Sequence, residues 1–170
     1  LIYIFFFSRN LINMDKRQAM LHLGIFAALN GLSLGSIFLV YTTVSIVKTF
    51  FITSSTFGAM SLYGYSTKKD LTTLGSFVYM GLIGLIIASL INLFLRSAAL
   101  DFVVSFIGVG IFTVLTAYDT QKLKSIYYTM NGTSARASNI AVYGALTLYL
   151  DFINLFTMLL HFVGVRKSDD

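Results

Sequence analysis

The chain has 170 residues, 56% of them hydrophobic and only 11% charged, against roughly 25% charged in a soluble domain. With a mean hydropathy of +0.81, this excludes a water-soluble globule and defines an integral membrane protein. The absence of cysteine excludes disulfides and thiol-ligated metal, and the net charge of +5 comes from Lys and Arg set between apolar runs, a pattern that reports membrane topology rather than nucleic-acid binding.

Taken in chain order, Leu1 to Phe7 is apolar but too short to span, and it ends in Ser8 and Arg9. It reads as the remnant, over residues 1–8, of a transmembrane helix whose missing part holds a further helix or a signal region. A crossing helix needs about 20 apolar residues. Five stretches meet this, at roughly Met20 to Tyr41, Val44 to Tyr65, Leu74 to Leu95, Leu100 to Lys122 and Ile140 to Val165. They predict one all-α transmembrane domain. No proline interrupts them, so unbroken helices are expected. Ala27, Gly31 and Gly35 lie at small-xxx-small spacing and, with Gly81, Gly84, Gly108 and Gly110, predict close helix packing. Sixteen Phe and ten Tyr with no Trp leave Tyr and Phe to build any interfacial belt.

The connections alternate in charge. The first, third and fifth carry Arg9, Lys16 and Arg17, then Lys68 and Lys69, then Lys122, Lys124 and Arg136, whereas the second and fourth carry only Lys48 and Arg96. The positive-inside bias puts the first set in the cytoplasm. The tail would then emerge outside if the last helix crosses fully, although its own Arg166 and Lys167 pull the other way, so its side stays open.

Two carboxylates stand inside apolar runs, Asp119 in LTAYDTQKLK and Asp151 in LTLYLDFINLFTMLL. A lone carboxylate at mid-membrane costs about 2.5 to 3.5 kcal/mol, so it faces a partner, a polar interior or water. Two such groups held together cannot both ionise cheaply and share a proton, which makes the pair proton-sensitive. With the fifth connection taken as Leu123 to Asn139, Asp119 lies about 6 Å from its helix end and Asp151 about 16 Å from Ile140. Asp119 also fits an interfacial residue paired with Lys122 or Lys124. Tyr118, Tyr149, Thr116, Thr147 and Asn154 bring hydroxyls and an amide near the acids, where they support a shared proton or a wet cavity. Arg9 is placed to reach a carboxylate at the cytoplasmic interface as a latch, or serves topology alone. His22 and His161 lack metal-ligand company and read as structural, and Asn30 and Asn92 as interhelical hydrogen-bonders.

The strings AALNGLSLGSIFLVYT, SLYGYSTKKDLTTLGSFVYMGLIGLIIASLIN, IGVGIFTVLTAYDTQKLK and ALTLYLDFINLFTMLLHFVG closely resemble bacterial members of the Bax-inhibitor (transmembrane Bax inhibitor motif, YccA-like) family over nearly the whole chain. TAYDTQ and LYLDFINLF at this separation carry most of the specificity. The resemblance implies a seven-helix bundle with a central last helix, of which about six helices are visible here. It also implies a pH-sensitive calcium leak with Asp119 and Asp151 as proton sensor, Arg9 as latch, and Ca²⁺ as a permeant ion that visits Asp119 and Asp151 without a fixed metal site or any cofactor. It places the chain in a bacterial inner membrane among lipids, with stress-protective roles.

Two rival classes remain. One is a non-conducting regulator that binds another membrane protein such as an FtsH-type protease. The other is an intramembrane aspartyl protease. That reading is weakened because Asp151 follows Leu148, Tyr149 and Leu150 where such enzymes carry Gly-x-Gly, and the expectation is a protein that is not an enzyme.

Overall fold

The computed structural model describes residues 16–129 and 135–167. Six helical segments follow one another: α1 (Lys16–Leu34), α2 (Ile37–Val40), α3 (Thr43–Ser66), α4 (Thr72–Leu95), α5 (Ala98–Thr129) and α6 (Ala135–Val163). No strand occurs among the described residues beyond one isolated bridge. At 1.5 Å per residue the 24 residues of α3 or of α4 reach about 36 Å, enough to cross a hydrocarbon core of about 30 Å.

Arg17–Val40, α4, α5 and Ile140–Val163 are also apolar enough to cross. α3 is equally long, but its nine Ser and Thr lower its hydropathy. Several of those hydroxyls turn inward, with Ser45, Thr49 and Thr53 buried. Thr53 satisfies its hydroxyl by donating to the Thr49 carbonyl at 2.8 Å, the usual way a hydroxyl is carried in an apolar helix.

The first expected span is not one unbroken helix. It breaks between α1 and α2, where Gly35 N–H donates to both Gly31 O (3.0 Å) and Leu32 O (3.1 Å) and the Ser36 hydroxyl donates to Ser33 O at 2.8 Å. A serine competing for backbone carbonyls next to a glycine interrupts a helix without proline. The chain restarts at Thr42, whose extended backbone and side-chain oxygen cap α3 by accepting from Ser45 N at 3.3 Å. α4 ends at Arg96 in the left-handed region (φ 50°), the common helix-stop geometry.

The other departure is at the fifth connection. The stretch from Leu123 is helical through Thr129, and α6 begins at Ala135 rather than Ile140, so the joint is far shorter than expected. Asp119 accordingly sits ten residues inside α5, about 15 Å from its end.

α5 packs on α3, α4 and α6, and α6 packs also on α3 and α1. Between Val142 and Leu160 only Ala145 of α6 is exposed, so the last helix is enclosed on nearly every side, as expected. Val78, Leu85, Val104, Ile111, Phe112, Leu115, Leu155 and Leu159 form the central apolar cluster of α4, α5 and α6. The close approaches fall elsewhere than the Ala27–Gly31–Gly35 ridge, since a Cβ at Gly31 would meet nothing among the described residues. They fall at Gly64, where a Cβ would overlap the Ala117 carbonyl of α5, at Gly75, where it would overlap the Tyr118 ring, and at Gly108, one of the expected positions, where it would crowd Met158 of α6.

After α6 the chain turns at Gly164 and runs antiparallel to the α2–α3 joint. Tyr41 pairs with Arg166, Thr42 N–H donates to Val165 O (3.1 Å), Lys167 N–H to Val40 O (2.8 Å) and Val165 N–H to the Ser45 hydroxyl (2.8 Å). Arg166 also reaches Asp101 at 3.8 Å. Residues 164–167 thus lie with the second and fourth connections, on the face opposite Lys68 and Lys69.

Candidate functional site

Asp119 and Asp151 meet. Asp119 comes from the middle of α5 and Asp151 from the middle of α6, and their carboxyl groups stand within hydrogen-bonding reach of each other. They are 3% and 5% exposed, so bulk water solvates neither charge well. The Tyr79 hydroxyl of α4 donates to Asp119 Oδ1 at 3.2 Å, while Asp151 Oδ2 is buried and no donor among the described residues reaches it. Ionised carboxylates only accept hydrogen bonds. Two of them within reach of each other repel when both are ionised, and a proton held between them relieves that repulsion.

The pair borders a cavity of about 580 Å³ between α4 and α6, floored by α5 and lined also by Tyr79, Ser89, Tyr143, Thr147 and Asn154. Most of its wall is leucine, isoleucine and phenylalanine, with a minority of polar groups that includes both acids. An apolar cavity with a few convergent polar groups is the ordinary form of a ligand or ion path.

The supporting residues divide. Asn154 lines the cavity, but its amide donates to Leu150 O at 2.8 Å. Thr116 and Thr147 likewise give their hydrogens to Phe112 O (2.8 Å) and Tyr143 O (3.0 Å), so neither donates to a carboxylate. Tyr118 and Tyr149 are not at the pair. Tyr118 follows its helix about 100° away from Asp119, packing edge-on to Tyr79 under the Lys122 ammonium. Tyr149, two positions from Asp151 and therefore on nearly the opposite face, packs on Phe26 of α1. The hydroxyl that does reach the acids is Tyr79, which sequence reasoning passed over. Its sequence signal was a phenol within an apolar run, whose hydroxyl needs a partner in lipid.

Neither lysine forms a salt bridge with Asp119. Lys124 donates to Tyr65 O at 2.6 Å and lies 4.5 Å above the Tyr65 ring, and Lys122 lies 5.8 Å above that of Tyr118. Arg9 lies outside the described residues. Among those residues no group of three or more His, Cys, Asp or Glu is arranged to hold a metal.

A multi-pass, all-helical membrane protein with two acids buried against each other beside its enclosed last helix is the class defined so far. Residues 1–168 match the family described as inhibitor of apoptosis-promoting Bax1, and the chain belongs to the Bax inhibitor family. It is 54% identical over 155 residues to a protein of Rickettsia prowazekii (strain Madrid E), covering 91% of this chain and 65% of that one. It is 53% identical over 146 residues to the inner membrane protein YbhL of Escherichia coli (strain K12), covering 84% and 62%, and 42% identical over 140 residues to a membrane protein of Streptococcus pyogenes serotype M3, covering 82% and 60%. The chain thus spans less than two thirds of these relatives' length. With its apolar helices and these relatives, it is a multi-pass protein of the bacterial inner membrane.

Proposed function

We propose that the chain is the core of a pH-sensitive cation leak, carrying Ca²⁺ as permeant ion and gated by the proton shared between Asp119 and Asp151. The observation that supports this reading is the contact of two buried acids at the edge of a cavity that runs between α4 and α6. With the proton in place the pair carries one charge fewer and the helices stay together. Without it, two carboxylates at contact distance repel in a medium that screens them poorly, and α6, which the other helices enclose, is displaced against α5. The same acids offer a transient oxygen-rich stop for Ca²⁺, a cation that prefers oxygen ligands. The role asks for ion passage, not for bond-breaking, so we read the protein as no enzyme.

Calcium flux into proteoliposomes, followed from pH 5 to pH 8, tests the reading. The wild type is expected to show flux that varies with pH, and Asp151→Asn flux that does not. Zero flux at every pH, together with recovery of a bound membrane protease, would instead establish the non-conducting regulator.

A further inference from the structure

A second pocket, of about 480 Å³, opens on the face of the third connection, separate from the acid pair. Lys68 and Lys69 from the α3–α4 joint and Lys122 from α5 line it, with Ser125, Thr72 and a single carboxylate, Asp70. All three lysines are exposed. The one salt bridge among the described residues is Arg166 with Asp101 at the other face, so no carboxylate is ion-paired to the three. Asp70 is committed elsewhere, accepting from Thr72 N–H (2.9 Å) and the Thr72 hydroxyl (2.6 Å).

The pocket wall is held in place. Gln121 of α5 donates to Lys69 O at 2.8 Å and accepts from Leu71 N–H at 2.9 Å, stapling the joint across to α5, and Leu71 is buried beneath it. The lysines are therefore presented by a fixed backbone rather than by a loose loop. The depth is that of the headgroups, because the apolar, exposed Leu74 and Phe77 begin within two turns of the start of α4. Ile126 gives the pocket an apolar rim.

We propose that this pocket binds a phosphate-bearing anion, and that its ordinary occupant is the headgroup of an anionic phospholipid in the leaflet bearing the Lys-rich connections. Three ammonium groups against one carboxylate leave an excess of positive charge that a phosphodiester satisfies, and the Ser125 hydroxyl lines the same space. A basic pocket between helices at the cytoplasmic interface is a common form of lipid site.

Native mass spectrometry and thermal unfolding of the detergent-solubilised chain test this with three probes: phosphatidylglycerol, phosphatidylcholine and inorganic phosphate. Wild type is expected to retain and be stabilised by phosphatidylglycerol over phosphatidylcholine. Lys69→Gln with Lys122→Gln is expected to weaken phosphatidylglycerol about 25-fold, at about fivefold per lysine. Asp70→Asn, which can keep the turn, should tighten binding, a gain that misfolding cannot imitate. Stabilisation by millimolar inorganic phosphate but not by phosphatidylglycerol would overturn the lipid as occupant in favour of a soluble phosphate. Equal phosphatidylglycerol affinity in wild type and both variants would overturn the site.

Discussion

At Asp119 the protein commits an acid to the apolar interior, and what keeps it there is a neighbouring acid and one phenol. Tyr79 donates to Oδ1 from a helix that otherwise has its apolar face on α5, and a hydrogen bond of this kind contributes on the order of 1 kcal/mol. Tyr79→Phe is therefore expected to displace the midpoint of the pH response by about half to one unit, since 1.36 kcal/mol corresponds to one unit. Tyr118→Phe, whose hydroxyl makes no bond to either acid, should leave the midpoint where it was. Flux titrations of the two variants side by side check this, and equal midpoints would remove Tyr79 from the site. Asp119 and Asp151 could be found from the sequence because a carboxylate in hydrocarbon is costly wherever it points. Tyr79 could not, because its position depends on how α4 lies against α5, forty residues on. Tyr118 and Tyr149 were misplaced for a related reason: adjacency in sequence is a rotation of about 100° on a helix, not adjacency in space. Asn30 and Asn92 make the same point, since they bond Phe26 O in the same helix and Ser97 N at the helix end rather than a facing helix.

Among the elements, α3 against α5 is the contact with least room. A Cβ at Gly64 would overlap the Ala117 carbonyl, two residues before Asp119, so Gly64→Ala must push the helices apart. A loss of about 1 to 3 kcal/mol is expected, measurable by denaturant unfolding in detergent, whereas Gly84→Ala, where a Cβ meets nothing within 4 Å, should cost nothing or stabilise. The start of α4 carries a pH dependence of its own. Hydrogen bonds from the Thr72 hydroxyl and N–H hold the Asp70 carboxyl below its ordinary value of 3.8. A group depressed on folding contributes stability above its unfolded value and loses it as pH falls through the folded one. The first turn of α4 should thus fray only below about pH 4, seen as faster amide exchange there, and Asp70→Ala should abolish that acid step. The apolar runs announced the helices because 20 such residues have few other uses. They did not announce the break at Gly35 and Ser36, which rests on local competition for carbonyls, or the continuation of α5 to Thr129, where polar Lys122, Lys124 and Ser125 are carried on a helix that packs on its neighbours rather than in a loop.

For the molecule as a whole, the strand-like strap at residues 164–167 ties the end of the enclosed helix to the joint between α2 and α3. The sequence left the side of this tail open because Arg166 and Lys167 argued against the alternation of the loops. Pairing resolves it: the two basic side chains are used locally, Arg166 toward Asp101 and above the Tyr41 ring, and Lys167 by donating to Phe38 O at 2.9 Å. Charges spent on partners at one face say little about topology. Tyr41 and Arg166 face each other across an antiparallel bridge, where Cα atoms stand about 4.5 to 5.5 Å apart, within the range a disulfide spans. The chain has no cysteine, so a pair of introduced thiols reports on this contact alone. Tyr41→Cys with Arg166→Cys is expected to crosslink on mild oxidation of intact cells, through the oxidising side of the inner membrane, giving a shift in mobility that a reductant reverses. Thr67→Cys with Arg166→Cys, on opposite faces, should stay uncrosslinked. If α6 is the part that moves when the acid pair loses its proton, the locked strap should also reduce the pH-dependent component of Ca²⁺ flux, and reduction should restore it. Crosslinking that leaves flux and its pH response untouched would confine the motion to the Asp119 half of the bundle.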